Sequence, residues 1–295
     1  MVEHPPFFSI VIPTYCRPKQ LSDCLESLGC LDYPRERFEV IVVDDGSEYS
    51  LDEVVEPFQT RLNLTLICQP NLGPAAARNT GAAKASGPYV AFTDDDCQPS
   101  QEWLQQLAAR VAATPDCLIG GRTKNVLKEN LYSTASQLLI DYLFSYYNAK
   151  SDRPRFFTSN NLAVPTEQFH RVGGFDVDFP RPGGEDRYFC DHWSHMGYGT
   201  IYAPEVLMFH THELGLRSFW RQHYNYGRGA FQFHKLRAQY ENGRVALEPP
   251  TFYLKMFVYP FSLKTRRHTW LLSTLISISQ LANAAGYFRE RMKST

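Results

Sequence analysis

Acidic residues form two dense groups in this sequence, and each group directly follows an apolar run. The apolar runs are residues 38–43 and 89–93. The acidic residues that follow them are Asp44, Asp45, Asp94, Asp95 and Asp96. Carboxylates packed this closely repel one another unless a cation or hydrogen-bond donors lie among them. Turn formation explains a single acidic pair, because Asp favours turns, whereas two such groups favour a functional site.

A divalent metal ion is the partner that such carboxylates predict. Hard oxygen ligands suit Mg²⁺ or Mn²⁺, and Mg²⁺ commonly takes one or two carboxylates and completes its shell with phosphate and water. An ion held in this way can bind a diphosphate leaving group and neutralise the charge that it gains. The sequence therefore predicts a site for Mn²⁺ or Mg²⁺.

Two further carboxylates, Glu185 and Asp186, follow the glycine pair Gly183 and Gly184. Glycine allows the backbone to approach a ligand closely, and a carboxylate held there can take a proton from an attacking hydroxyl. The alternative is a structural role, since acidic residues favour the first turn of a helix. The aspartates upstream favour the catalytic interpretation.

Basic residues near the end of the predicted catalytic region are candidates for the same site. His210 and His212 alternate, so on an extended segment their side chains face the same way. Either could complete a metal or pyrophosphate site, although paired histidines in an apolar region are more often structural. Arg228 follows in a basic, aromatic stretch, and a guanidinium group binds phosphate well.

Alternating strands and helices are predicted to position these residues. Four apolar runs in the first hundred residues are predicted strands, at 7–12, 38–43, 62–68 and 89–93. Helical patterns lie between them, and this alternation predicts a parallel α/β sheet. Sites in such sheets lie beyond the carboxyl ends of the strands, so the acidic groups are expected to meet there. Further helices are predicted at 101–113, 131–147, from 185 and at 218–240, with strands at 118–122 and 156–164.

The composition of the 295-residue chain restricts its partners. Its formal net charge of −1 argues against binding to nucleic acid. Seven cysteines lie singly along the chain, and without a predicted secretion signal this pattern indicates reduced thiols in the cytoplasm.

The last part of the chain is predicted to be a separate tail. Residues 241–250 are polar and end in Pro-Pro, which indicates a linker, so we predict a catalytic domain at 1–240 and an accessory helical tail at 241–295. Residues 270–286 are too short and too polar to span a bilayer. Their basic flanks suit either a helix packed on the domain or a peripheral helix on the inner face of a membrane.

Five motifs together resemble family 2 glycosyltransferases with the GT-A fold: IPTYCRP, VVDDGS, NLGPAAARNTGAAKASG, FTDDD and GGED. The resemblance covers about residues 7–240. It implies a GT-A-type, Rossmann-like, mostly parallel sheet flanked by helices. It also implies an inverting transfer from a UDP-, dTDP- or GDP-sugar to a hydroxyl group. The acceptor would be a carbohydrate, a lipid-linked molecule or a small molecule, in polysaccharide, glycolipid or other glycoconjugate synthesis.

The same resemblance implies a role for individual residues. The donor-binding residues would be Pro13, Tyr15, Asp44, Asp45, Arg78, Asp94 and Asp95. Pro13 and Tyr15 would line the nucleoside pocket and Asp45 would accept a hydrogen bond from the base. Asp96 would bind the metal and Asp186 would be the catalytic base. Many relatives carry Asn where this chain has Cys16, a departure at a position without indispensable chemistry.

Three other classes of protein compete with this interpretation. A Rossmann oxidoreductase needs G-x-G-x-x-G between the first strand and helix, where this chain has PTYCRPK. A sugar-nucleotide pyrophosphorylase needs a glycine-rich phosphate loop at the same place. A nucleotide-sugar-binding protein without activity would have little use for acidic residues at both candidate sites.

Overall fold

The computed structural model describes residues 5–148, 154–179, 183–239, 248–263 and 267–294. Its strands are β1 (Phe8–Thr14), β2 (Phe38–Asp44), β3 (Leu64–Cys68), β4 (Tyr89–Phe92), β5 (Cys97–Pro99), β6 (Leu118–Asn125), β7 (Leu162–Pro165) and β8 (Thr200–His210). Its α-helices are α1 (Pro18–Leu28), α2 (Asp52–Val55), α3 (Pro74–Lys84), α4 (Trp103–Ala113), α5 (Leu131–Tyr147), α6 (Thr166–Val172), α7 (Glu185–His195), α8 (Leu216–Arg237), α9 (Pro250–Val258) and α10 (Thr269–Ser294).

The strands form one mixed sheet in the order β3-β2-β1-β4-β7-β6-β8-β5. β1 pairs in parallel with β2 and β4, and β2 pairs in parallel with β3. The predicted parallel arrangement is therefore confirmed for the first four strands. The pairs β4–β7, β6–β7 and β5–β8 are antiparallel, which the alternation in the first hundred residues did not indicate.

The apolar runs form strands because both of their faces are covered. Every residue of β1 is buried, and β2 is buried except at Glu39. α1 packs its apolar face, Leu21, Leu25 and Leu28, into the same core. Pro18 starts that helix, at a position where the missing amide hydrogen costs nothing. The core thereby fixes the strand ends from which the acidic residues project.

The predicted strand at 156–164 is wrong in its first half. Ser159–Asn161 is a 3-10 turn, and the strand begins at Leu162. The reason is the side chain of Asn161, which is buried and fully engaged. Its Nδ2 donates to the carbonyl oxygen of Val206 at 2.9 Å and its Oδ1 accepts from Trp103 Nε1 at 2.9 Å.

Contacts between Cα atoms divide the chain into two compact units. The first contains Met1–Lys124, Asp152–Val177 and Phe189–Thr211. The second contains Asn125–Ser151, Asp178–Tyr188 and His212–Thr295. The predicted boundary at residue 240 lies outside the described residues and stays a prediction. Within the described ranges, no helix combines the length and the apolarity needed to cross a bilayer.

Candidate active site

The predicted aspartates of the first unit lie at one edge of the sheet. β1 pairs in parallel with β2, with Thr14 opposite Asp44, and with β4, with Val11 opposite Phe92. The chain leaves β4 directly into the acidic residues that follow it. Thr14 Oγ1 donates a hydrogen bond to Asp95 Oδ2 at 2.8 Å. Thr14 thus lies opposite Asp44 and binds Asp95. The two acidic groups are therefore close to each other, as predicted for the carboxyl ends of neighbouring parallel strands.

Asp96 faces His210, and the pairing of β5 with the end of β8 holds the two residues together. Asp96 Oδ1 lies 3.1 Å from His210 Nε2. The amide of Thr211 donates to the backbone carbonyl of Asp96 at 2.8 Å, and antiparallel pairing sets Cys97 opposite His210. Burial lowers the pKa of His210, but the hydrogen bond and charge of Asp96 outweigh it and hold that pKa above its usual value.

The chemistry of this donor set fits a divalent transition-metal ion. Ligand atoms of Asp96, Cys97 and His210 lie within 4.8 Å of one another. Mg²⁺ prefers oxygen ligands, whereas a first-row ion such as Mn²⁺ accepts carboxylate oxygen together with imidazole nitrogen. Burial raises the pKa of the Cys97 thiol well above its usual value, which disfavours the thiolate that a metal needs. Asp96 and His210 are therefore the candidate ligands in this cluster.

Arg17 was not among the predicted site residues, yet its guanidinium group binds two of the aspartates. Its Nη1 lies 3.0 Å from Asp95 Oδ1 and 3.1 Å from Asp96 Oδ2. The Arg17 side chain is 46% exposed, whereas those of Asp95 and Asp96 are 4% and 10% exposed. The sequence carried a signal, because Arg17 lies in the IPTYCRP motif, three residues after the end of β1.

Asp95 is the innermost of the three consecutive carboxylates. Burial raises its pKa to about 6, although the charge of Arg17 lowers it. Its two oxygens bind Thr14 and Arg17, contacts that position Arg17. Its predicted contact with the donor stays a prediction.

Arg78 forms an ion pair with Asp94 in the first unit. Its Nη2 is 2.7 Å from Asp94 Oδ1, its side chain is buried, and its guanidinium carbon lies 5.6 Å from the centre of the Phe175 ring. The neighbouring Asn79 exchanges two hydrogen bonds with the backbone of Phe175, at 2.7 and 2.8 Å. Arg78 and Asn79, which both belong to α3, thus have protein partners. The contact of Arg78 with the donor stays a prediction.

The end of β2 and the start of α1 form the predicted nucleoside side of the site. Asp44 Oδ1 accepts hydrogen bonds from the amide and the hydroxyl of Ser47, at 3.0 and 2.5 Å. The Ser47 hydroxyl oxygen accepts in turn from the amide of Cys16 at 2.8 Å. Pro13 is buried in β1, whereas Tyr15 is exposed. Tyr15 is therefore available to a ligand, and Asp44 shapes the turn beside it.

Asp45 holds the loop that precedes α3. Its Oδ1 accepts from Gln69 Nε2 at 2.7 Å and from the amide of Leu72 at 2.9 Å, and its Oδ2 accepts from the amide of Gly73 at 2.8 Å. Gly73 has a φ of 92°, a conformation that favours glycine. A carboxylate offers about four acceptor positions, so three protein donors leave about one for a base.

The predicted catalytic carboxylates lie in the second unit, at the start of α7. Glu185 is buried and its Oε2 accepts from the amide of Gly183 at 2.7 Å, whereas Asp186 is half-buried. Gly183 and Gly184 have φ values of 129° and 101°. A Cβ on Gly229 of α8 would lie 1.6 Å from the carbonyl oxygen of Gly183. These glycines therefore let the loop before α7 rest directly on α8.

Two other predicted site residues of the second unit have structural partners. Arg228 Nε lies 2.6 Å from Glu290 Oε2, and both side chains are largely buried. A phosphate would have to compete with this ion pair, which joins α8 to α10. The backbone carbonyl of His212 accepts from Ser133 Oγ. The predicted roles of Arg228 at phosphate and of His212 at the metal remain untested.

The family of the chain follows from its match to known sequences. The model of glycosyl transferase family 2 matches residues 9–175, a range that begins one residue into β1 and includes β2 to β4 and the two groups of aspartates. The chain belongs to this family. The mixed sheet and its flanking helices are the GT-A fold that the sequence motifs implied.

Two similar proteins are glycosyltransferases by name. The chain is 28% identical over 207 residues to glycosyltransferase AglE of Haloferax volcanii, covering 70% of this chain and 67% of that protein. It is 32% identical over 211 residues to validoxylamine A glucosyltransferase of Streptomyces hygroscopicus, covering 62% of this chain and 50% of that protein. The match thus spans about half of the second relative.

Solved structures show the same fold at low sequence identity. The mannosyltransferase PcManGT from Pyrobaculum calidifontis, in complex with GDP-Man and Mn²⁺, is 18% identical with a TM-score of 0.70, covering 99% of this chain and 89% of that one. S. aureus TarS 1–349 in complex with UDP-GlcNAc is 18% identical with a TM-score of 0.56, covering 97% of this chain and 92% of that one.

Proposed function

We propose that this chain is a metal-dependent glycosyltransferase that moves a hexosyl-type sugar from a nucleoside-diphosphate sugar to a hydroxyl acceptor. The observation that carries the proposal is the pair of Asp96 and His210. It lies at the sheet edge where a family 2 chain is expected to receive its donor. The nucleotide sugars in the two similar structures support a donor of this chemical class.

Asp96 and His210 would hold the metal. A divalent ion bound there would bind diphosphate oxygens and stabilise the charge that develops on the leaving group. Their mixed oxygen and nitrogen ligands favour Mn²⁺ over Mg²⁺. Arg17 already neutralises part of the negative charge at this place, because its guanidinium contacts Asp95 and Asp96.

The nucleoside would lie between Tyr15 and the loop held by Asp45. Tyr15 is exposed at the end of β1, so its ring is available to pack on a flat base. Asp45 would both hold the loop at Leu72 and Gly73 and offer its remaining acceptor position to the base. The donor would be a UDP-, dTDP- or GDP-sugar.

Asp186 would act as the catalytic base. The acceptor hydroxyl must lose a proton as its oxygen attacks the anomeric carbon, and a positioned carboxylate can take that proton. Both carboxylates accept a backbone amide at 2.7 Å, but Asp186 is half-buried whereas Glu185 is buried, so Asp186 is the more accessible of the two to receive the proton. A single displacement of this kind inverts the anomeric configuration. The acceptor would be a carbohydrate, a lipid-linked molecule or a small molecule.

Release of nucleoside diphosphate tests the proposal. The wild-type chain and the Asp96→Asn variant would be incubated with UDP-, dTDP- and GDP-sugars in Mn²⁺, in Mg²⁺ and in EDTA. We expect release from at least one donor, faster in Mn²⁺, lost in EDTA and lost in Asp96→Asn. Asp116→Asn, which changes an exposed aspartate of the first unit, is the matched control. Full activity in EDTA would contradict the role of the metal.

A further inference from the structure

α10 packs on α8 through one face that is made of small and apolar residues. Ala282, Ser279 and Gly286 are buried on this face. A Cβ on Gly286 would lie 1.9 Å from the carbonyl oxygen of Tyr224, and a Cβ on Gly227 of α8 would lie 1.8 Å from the carbonyl oxygen of Asn283. The two helices therefore touch backbone to backbone, which fixes the rotation of α10 about its own axis.

The opposite face of α10 carries a row of large apolar side chains. Trp270 is 79% exposed, Leu281 65%, Phe288 56% and Met292 73%. At 3.6 residues per turn their positions fall within about 40° of one another around the helix and extend over about 33 Å. Apolar residues that lie singly on a surface need no explanation, but a row of them marks an interaction surface. We call these four residues the outer row.

The charges of α10 are distributed around the outer row. Arg289 and Arg291 are exposed, and each lies about 60–100° from the row, on opposite sides of it. The one acidic residue of the helix, Glu290, lies on the inner face and is paired with Arg228 at 2.6 Å. The outer side of the helix is thus apolar along its centre and positive along both margins near its carboxyl end.

α9 extends the apolar surface at the other end of the row. Leu254 and Val258 are exposed one helical turn apart, on the side opposite to the buried Phe252. Phe261 follows α9, and its ring lies edge-on to that of Trp270 with the centres 4.8 Å apart. Phe261 therefore connects the end of α9 with Trp270 at the start of the outer row.

We propose that the outer row of α10, together with Leu254 and Val258 of α9, docks on an anionic lipid surface. A helix that lies in a membrane interface combines an apolar face, often with Trp and Phe, and basic residues along its polar margin. Self-association suits the same surface less well. Paired in parallel, two copies would bring Arg289 and Arg291 together. Paired antiparallel, they would set those residues against the ion pair of Arg267 and Glu129, which offers no net opposite charge. Anionic lipid headgroups supply the opposite charge.

Co-sedimentation of the full chain with lipid vesicles tests this inference without any measurement of sugar transfer. Vesicles of phosphatidylcholine alone would be compared with vesicles that contain about 30 mol% phosphatidylglycerol. The anionic lipid supplies the negative surface potential that attracts basic residues. We expect binding to the anionic vesicles and much weaker binding to the neutral ones. Replacing Trp270, Leu281 and Phe288 together by Gln should weaken binding at least tenfold, since it removes apolar area that enters the interface.

Two further variants complete the comparison. The first removes positive charge beside the outer row, and the second is a control that removes an exposed apolar side chain elsewhere. Arg289→Gln combined with Arg291→Gln should weaken binding to anionic vesicles by about 25-fold, from about fivefold for each of the two charges, and leave binding to neutral vesicles unchanged. Met196→Gln changes an exposed methionine of the first unit and should have no effect. Because the outer-row side chains point away from the core, far-UV circular dichroism and the midpoint of thermal unfolding should stay near wild type in every variant.

Three results would overturn the inference. The first is the absence of binding to either kind of vesicle. The second is binding that survives the triple Gln variant. The third is a dimer, seen by light scattering, that the same triple variant dissolves; this result would make a second copy of the chain the occupant of the surface.

Discussion

Arg17 acts as a built-in cation at the candidate metal site, so removing its charge should tighten metal binding. Its Nη1 makes two charge-assisted contacts, at 3.0 Å to Asp95 and 3.1 Å to Asp96. A divalent ion on Asp96 must either displace this guanidinium group or bind beside it, and like charges repel in both cases. Arg17→Ala is therefore expected to raise the affinity for Mn²⁺.

The size of the effect follows from the exposure of the pair. Hydrogen bonds to charged groups contribute about 1.5–3 kcal/mol when buried, whereas exposed ion pairs contribute about 0.2–1 kcal/mol. Arg17 is about half exposed while both aspartates are buried or nearly so, which suggests about 1–2 kcal/mol. We therefore expect Mn²⁺ to bind about 5- to 30-fold more tightly to Arg17→Ala.

Electron paramagnetic resonance of free Mn²⁺ measures this affinity directly, without donor or acceptor. Arg17→Lys, which keeps the charge, should stay within about threefold of wild type, because a retained charge keeps the repulsion. Arg61→Ala is the matched control, since Arg61 binds Glu26 with two hydrogen bonds at 2.7 and 2.9 Å, away from the predicted ligands. Unchanged or weaker Mn²⁺ binding in Arg17→Ala would refute the reasoning.

Three further predictions concern the donor loop, the base and the loop before α7. Asp45→Asn should weaken nucleoside diphosphate binding by about 1–3 kcal/mol in calorimetry, because two amides and Gln69 lose a charged acceptor; unchanged affinity would count against the assignment. Asp186→Asn should lower turnover by about 10²-fold or more while donor binding stays near wild type; if Glu185→Gln has this effect instead, the two roles are exchanged. Gly229→Ala should destabilise the fold by more than about 1 kcal/mol in denaturant titration, since its Cβ would overlap the Gly183 carbonyl; wild-type stability would disprove that close contact.

Strands that are buried on both faces were predicted from the sequence, whereas the short strand β5 was not. β1, β2 and β4 are nearly continuous apolar runs, and the structure has strands at all three places. β5 has three residues and pairs with β8, too few to show a period. Its position nevertheless brings His210 to Asp96, so this part of the site depends on an element without a sequence pattern.

Residue types at strand ends were predictable, whereas their partners were not. The grouping of the aspartates followed from strands of the same direction meeting at one edge. That Asp95 binds Arg17, and that Asp45 holds the loop at Gly73, depends on distances between segments about 30 to 80 residues apart. Arg228 illustrates the same difficulty, because its partner Glu290 lies in the tail, where no local pattern connects the two residues.

The position of the metal ion is the most direct test of the proposed site. Crystals of the chain with Mn²⁺ and a bound nucleoside diphosphate would be measured for anomalous scattering at the manganese absorption edge. We predict one strong peak within coordination distance, about 2.1 Å, of Asp96 Oδ1 and His210 Nε2 and of a diphosphate oxygen. A peak that avoids both residues, or a nucleotide bound without metal while Arg17 remains on Asp96, would contradict the proposed metal-assisted transfer.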